Sequence, residues 1–229
     1  PNAYSLMNLF MTVPFSVKEM EDAIQKEKIR KGVEQPNVRL EKLEENLKNL
    51  PVNLAEAARK ISDSLETAYY ARCEESQKRQ YLKEYIDRNH GQKIAIVVPK
   101  AYYADIIWNY VLPYIEPEKS NIEIVTTARF DGTYTYDRIL VVGNIVAKHF
   151  EIFRCMSVAE ITILLYDAED FLFQAKQKRY YMIEQLINMR QNTVNDCDSE
   201  NGENIFTEEI EEVENIDEEI ASYTNEVVM

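Results

Sequence analysis

Five polar residues, Thr127, Arg129, Asp131, Gly132 and Asn144, are placed where a ligand-binding rim would need them. Four of them share one short run, Thr126-Thr-Ala-Arg-Phe-Asp-Gly132, directly after the apolar stretch Ile122–Val125. Asn144 follows a second apolar stretch that ends in Gly143. In open α/β sheets, ligands sit just beyond the carboxyl ends of the strands. A hydroxyl, a guanidinium, a carboxylate and a glycine turn at that place suit a nucleotide or another small ligand. The same residue types also make ordinary turns and helix caps, which need no ligand.

Other chemistry is thinner. Asp167, Glu169 and Asp170 resemble the carboxylates that hold magnesium in nucleases, but no matching lysine or upstream acid lies at useful spacing. Capping and compensation of a helix dipole account for them without a metal. Asp137 precedes a strand rather than following one, and reads as a turn residue or a partner of Arg138. Tyr102-Tyr103, Tyr134, Tyr136 and Tyr180-Tyr181 offer faces on which bases could stack, or simply pack. Arg154, on the apolar stretch Phe150–Met156, has the character of an arginine finger or of a surface arginine covering its own helix.

A phosphate loop needs closely spaced glycines followed by Lys and Ser or Thr. The five glycines, Gly32, Gly91, Gly132, Gly143 and Gly202, have no such spacing. A dinucleotide fingerprint, a nucleophile elbow and a two-histidine zinc helix are also missing from the sequence. Cys73, Cys155 and Cys197 are odd in number and far apart, and only His90 and His149 could join them as metal ligands. The sequence therefore points to reduced thiols in a cytoplasmic protein, with no metal and no cofactor. By itself the chain is expected not to hydrolyse ATP.

The elements that must position the rim come from Lys93–Asp170. Four apolar runs, Lys93–Val98, Ile122–Thr127, Arg138–Val142 and Glu160–Tyr166, have strand length and are rich in Ile and Val. Continuous apolar runs suit strands buried on both faces, hence a parallel sheet. Ile96, Val98, Val125, Leu140, Val142, Ile163 and Leu165 are the expected sheet core. Helical patterns at Tyr102–Ile115, Ile145–Met156 and Phe171–Gln191 alternate with the strands. Before the sheet, Pro1–Pro14 is apolar and aromatic, and packs against the body or against another part of a longer parent chain that Pro1 suggests. Ser16-Val-Lys-Glu19 forms a capping box for a helix running to about Lys31. Leu40, Leu43, Leu47 and Leu50 give a second helix one apolar stripe. A single long helix, capped by Asn53, is expected from Leu54 to about Asn89, with Arg72–Gln80 exposed.

Charge is uneven. The net charge is -14, yet all 26 bases lie before Arg190 or at it, against 27 acids, and 13 further acids follow. A near-neutral body carries no basic footprint for nucleic acid, although such a partner stays open. No apolar run reaches the ~20 residues of a membrane span. Within the acidic end, Phe206, Ile210, Val213, Ile216, Ile220, Tyr223 and Val227 recur at helical spacing, so an amphipathic helix is expected there.

The central run resembles the second RecA-like domain of helicases. The resemblance rests on Lys93-Ile-Ala-Ile-Val-Val-Pro99 with the helix after it, and on Ile124-Val-Thr-Thr127. It continues through Tyr136-Asp-Arg-Ile-Leu-Val-Val-Gly143. With Ile161-Thr-Ile-Leu-Leu-Tyr-Asp-Ala-Glu169 added, it is similar to DrmE, the E component family of the DISARM bacterial anti-phage system. The arginine-rich last helicase motif is not recognisable. Thr127, Arg129 and Arg154 are its only candidates, and catalysis does not carry over.

The fold class is thus α/β: a mostly parallel Rossmann- or RecA-like sheet flanked by helices, with an N-terminal helical subdomain and a C-terminal acidic helix. The expected boundaries are 1–91 for the helical subdomain, 92–192 for the α/β domain and 193–229 for the acidic linker and helix. The resemblance implies a non-catalytic, helicase-like module of a larger defence protein, with other domains of the parent or its complex as partners. A scaffold with helical arms, and a small-ligand or nucleotide-binding domain, are the other two readings.

Overall fold

The structure is a computed structural model. It describes residues 2–29, 32–130, 135–145, 150, 152–154 and 159–195. The expected acidic helix beyond residue 195 and most of the expected helix at Ile145–Met156 lie outside those residues. The chain divides into two compact units, Pro1–Tyr166 and Asp167–Met229.

In the first unit, β1 (Ile94–Val98), β2 (Ile122–Thr126), β3 (Arg138–Val142) and β4 (Glu160–Leu164) form one sheet in the order β2-β1-β3-β4. Every pairing is parallel, with Ile94 opposite Ile122 and Arg138, and Arg138 opposite Glu160. This is the arrangement expected from the apolar runs. The order matches the first four strands of the flavodoxin-like doubly wound sheet. All five residues of β1 are buried, as a central strand of a parallel sheet requires.

Ile96, Val98, Val125, Leu140 and Val142 are buried as expected. Ile163 and Leu165 are only half-buried, and Leu164 is the buried residue instead. The reason is position: β4 ends the strand order, so Ile163 has a sheet neighbour on one side only, and Leu165 lies just past the end of β4.

After β1, α6 (Ala101–Ile106) passes into a π-helical turn at Ile107–Val111. Leu112 donates its N–H five residues back, to the Ile107 carbonyl at 2.8 Å. Pro113 ends the helix, because the residue before a proline is driven out of helical conformation. The wider turn keeps Ile107, Val111 and Leu112 all in the core.

The N-terminal residues belong to that same core. α1 (Asn2–Thr12) buries Leu6, Leu9 and Phe10, and Phe15 meets Tyr103 edge-to-face at 5.2 Å. The apolar opening stretch thus packs on the body. α2 (Val17–Gln25) starts with the expected capping box, Ser16 and Glu19 each accepting from the other's backbone N–H, but ends six residues before Lys31. α3 (Pro36–Leu47) and α4 (Val52–Ala71) form a hairpin, and α1 packs against both.

The long helix expected over Leu54–Asn89 is two helices, α4 and α5 (Gln77–Arg88), and Pro51 rather than Asn53 occupies the cap of α4. Two interactions stabilise the break. Ser76 caps α5 by accepting from the Arg79 N–H. The carbonyls freed at Arg72 and Cys73 accept from the first amides of α2, Val17 and Lys18, at 3.0 and 3.1 Å. Nor is the joint exposed throughout, since Ser76 and Lys78 are buried.

The second unit contributes α7 (Asp167–Asn195), which begins four residues before the expected Phe171. Asp167, Glu169 and Asp170 occupy its first turn, where negative charge complements the helix dipole. Asp170 also accepts from Gln174 at 2.6 Å.

Candidate functional site

Of the five expected rim residues, Thr127, Arg129 and Asn144 are described, and they lie beyond the carboxyl ends of β2 and β3. Thr127, one residue past β2, is buried, and its N–H donates to the Val98 carbonyl at 3.1 Å. That bond ties the end of β2 to the end of β1. Arg129 is exposed in the turn that follows, its N–H bonded to the Thr126 carbonyl at 2.9 Å. Phe130 closes the turn and meets Phe150 edge-to-face at 5.7 Å. Asn144 is half-buried beyond β3. Before it, Gly143 takes φ +86, a left-handed conformation that suits glycine, and donates to the Leu164 carbonyl at 2.9 Å. Asp131 and Gly132 lie outside the described residues.

Thr127 and Asn144 therefore share an edge of the sheet without being neighbours. β1 runs between β2 and β3, which separates their ends by roughly 10 Å at the ~4.8 Å strand spacing. A ligand touching both must cross the end of β1, over Pro99-Lys100. In a 2-1-3-4 order, the place where the connections diverge lies between β1 and β3, the position where such sheets bind ligands.

Several of the other singled-out residues take structural roles, whereas Tyr181 on α7 is exposed. Asp137 accepts from the Lys93 N–H at 2.7 Å, while Arg138 pairs with Glu160 and donates to Gln92. Tyr103 is fully buried and its hydroxyl lies 3.0 Å from that of Thr12. Burial holds the Tyr103 phenol well above its ordinary pKa. Tyr136 is buried and donates to Glu123 at 2.7 Å. Neither buried ring offers a face for a base. Burial, then Glu74 and Glu21, raise the Cys73 thiol, the opposite of an activated nucleophile. The Tyr134 residue and the side chain of Arg154 lie outside the description. Among the described residues, no group of three or more His, Cys, Asp or Glu is placed to hold a metal ion. No described helix is long and apolar enough to cross a membrane.

One cluster escaped sequence reading. Lys78 is 1 % exposed and donates to the Met11 carbonyl at 2.5 Å. It also lies over the Tyr166 ring, 4.5 Å from its centroid, and the Arg72 guanidinium lies 4.7 Å from the same centroid. Tyr166 follows β4, so two cations from the α4–α5 joint converge on one carboxyl-end residue of the sheet. Such contacts are worth about 0.5–2 kcal/mol each. The available signal was the fading of apolar spacing between Arg72 and Gln80, which marks the joint itself.

Comparison with protein-family models, curated proteins and solved structures gives no match.

Proposed function

We propose that this chain is a non-catalytic, helicase-like module of a larger bacterial anti-phage defence protein, acting in the cytoplasm through protein or nucleic-acid partners. The observation that carries this reading is the parallel sheet whose first strand ends in Pro99-Lys100 instead of a glycine-rich phosphate turn. The Thr126-Thr127 turn lies beside it, tied to the end of that strand through the Val98 carbonyl. A module of this kind contributes one wall of a nucleotide or nucleic-acid site and leaves phosphate binding to another domain. Thr127, Arg129 and Asn144 are the described candidates for that wall, with Asp131 and Gly132 added from the sequence alone.

The test is turnover. The purified chain, with and without DNA, should release no phosphate from ATP. Turnover that survives repurification and disappears in Arg129→Ala would overturn the reading and make the rim catalytic. A separate domain that carries a phosphate loop and binds this chain would support it.

A scaffold role is favoured by one separate observation. The tip of the α3–α4 hairpin leaves Leu50, Val52 and Leu54 exposed, Val52 at 93 %. Sedimentation equilibrium separates the two: a concentration-independent monomer removes self-association through the hairpin.

A further inference from the structure

Beside α5, two cations without an anionic partner share one cavity. It measures about 600 Å³ and is lined by Arg72, Ser76, Gln80, Lys83 and Tyr166 among others. The Arg72 guanidinium lies against the Tyr166 ring, and its Nε is buried with no hydrogen-bond partner. A half-buried guanidinium that loses water without gaining an acceptor is costly. An unsatisfied buried group of this kind calls for an explanation, and a bound ion is one that its positive charge favours. Lys83, which also lines the cavity, is half-buried and forms no ion pair among the described residues.

The neighbouring charges do not fill the gap. Arg79 donates to Glu19 at 2.9 Å, and Glu84 accepts from both Gln80 and Arg88. Glu75 and Asp87 also line the cavity, but both are exposed and neither bonds to Arg72 or Lys83. Glu75 and Asp87 face water, while Arg72 and Lys83 are half withdrawn from it without an anion.

We propose that this cavity binds a phosphate group, with Arg72 and Lys83 as its counter-charges. Guanidinium geometry matches phosphate oxygens, and two cations suit a dianion better than a lone carboxylate. The volume leaves room for the moiety that bears the phosphate. The inference stands on the cavity and does not require the helicase-like reading.

Amide chemical shifts of Ser76–Gln80 in the full chain, titrated at constant ionic strength, test it. One arm uses inorganic phosphate, and the other a short oligothymidine without a terminal phosphate. A free phosphate ester as the source predicts saturable shifts in the first arm alone. A nucleic-acid strand predicts tighter saturation in the second. In either case Arg72→Gln and Lys83→Gln should each weaken binding about tenfold, the loss of one charge-assisted contact. Unchanged melting temperatures of the variants show that the fold is intact, and Lys83→Gln serves alone if Arg72→Gln melts early. No saturable shift in either arm, or shifts that persist unchanged in Lys83→Gln, overturns the proposal.

Discussion

Ile96 and Ile163 carry the same side chain on two strands of one sheet, which makes the pair a test of the strand order. Ile96 is fully buried in β1, with a hydrogen-bonded strand on each side. Ile96→Ala removes three carbons from a closed site, so the lost transfer energy adds to a cavity that neighbours cannot fill. The expected cost is about 2–5 kcal/mol. Ile163 lies on β4 and is half-buried. There Ile163→Ala forfeits only part of the buried area and leaves a dent open to solvent, about 1–1.5 kcal/mol at ~25 cal/mol per Å². For a chain of this size, about 2–4 °C of melting temperature accompanies each kcal/mol. Ile96→Ala should then melt about 5–15 °C early, and Ile163→Ala about 2–5 °C early. Urea unfolding followed by circular dichroism measures both, with an unchanged slope confirming that stability alone has moved. Equal costs at the two positions would refute the edge placement of β4. A cost below about 1 kcal/mol at Ile96 would refute the central placement of β1.

Ser76→Ala removes the cap of α5 and should destabilise the chain by about 1 kcal/mol, with Ser76→Gly recovering most of that loss in the same denaturation assay. Lys78→Ala strands the Met11 carbonyl and removes the cation over Tyr166; a loss of about 2–3 kcal/mol is expected, and a neutral result would mean that the ammonium is not held there. The Cys73 thiol is raised by burial, so its alkylation, mapped by peptide mass spectrometry, should run slower at neutral pH than that of a free cysteine peptide and accelerate only above the ordinary thiol range. Faster labelling than the peptide would contradict that environment.

The sheet was legible because its strands are short runs rich in Ile and Val, and Ile94-Ala-Ile-Val-Val98 admits no amphipathic alternative. The capping box at Ser16 was legible for a similar reason, since the signal and the structure are both local. The α4–α5 break was not. Helical propensity continues across Arg72–Ser76, and what opens the helix there is distant: the α2 amides that take the Arg72 and Cys73 carbonyls. The fading apolar spacing over Arg72–Gln80 predicts an exposed stretch, whereas the burial of Lys78 within it depends on Met11 and Tyr166, far away in sequence. The partial exposure of Ile163 and Leu165 follows from strand order, which composition cannot encode. The rim was legible in part. Strand ends locate Thr127, Arg129 and Asn144, but the intervening β1 that keeps Thr127 from Asn144 appears only in three dimensions.

The embedding of α1 has a consequence for synthesis. Thr12 finds Tyr103 across 91 positions of chain, and Met11 finds Lys78 across 67. A ribosome adds about 5–20 residues each second, so the apolar face of this helix waits roughly 5–20 s for its partner to be made. Throughout that interval Leu6, Leu9 and Phe10 can pack only on helices already made, α3 and then α4, and lack the part of their core that arrives with Tyr103. A nascent chain in that state is a natural client for holdase chaperones. A ribosome stalled before Tyr103 would display the segment for as long as the stall lasts.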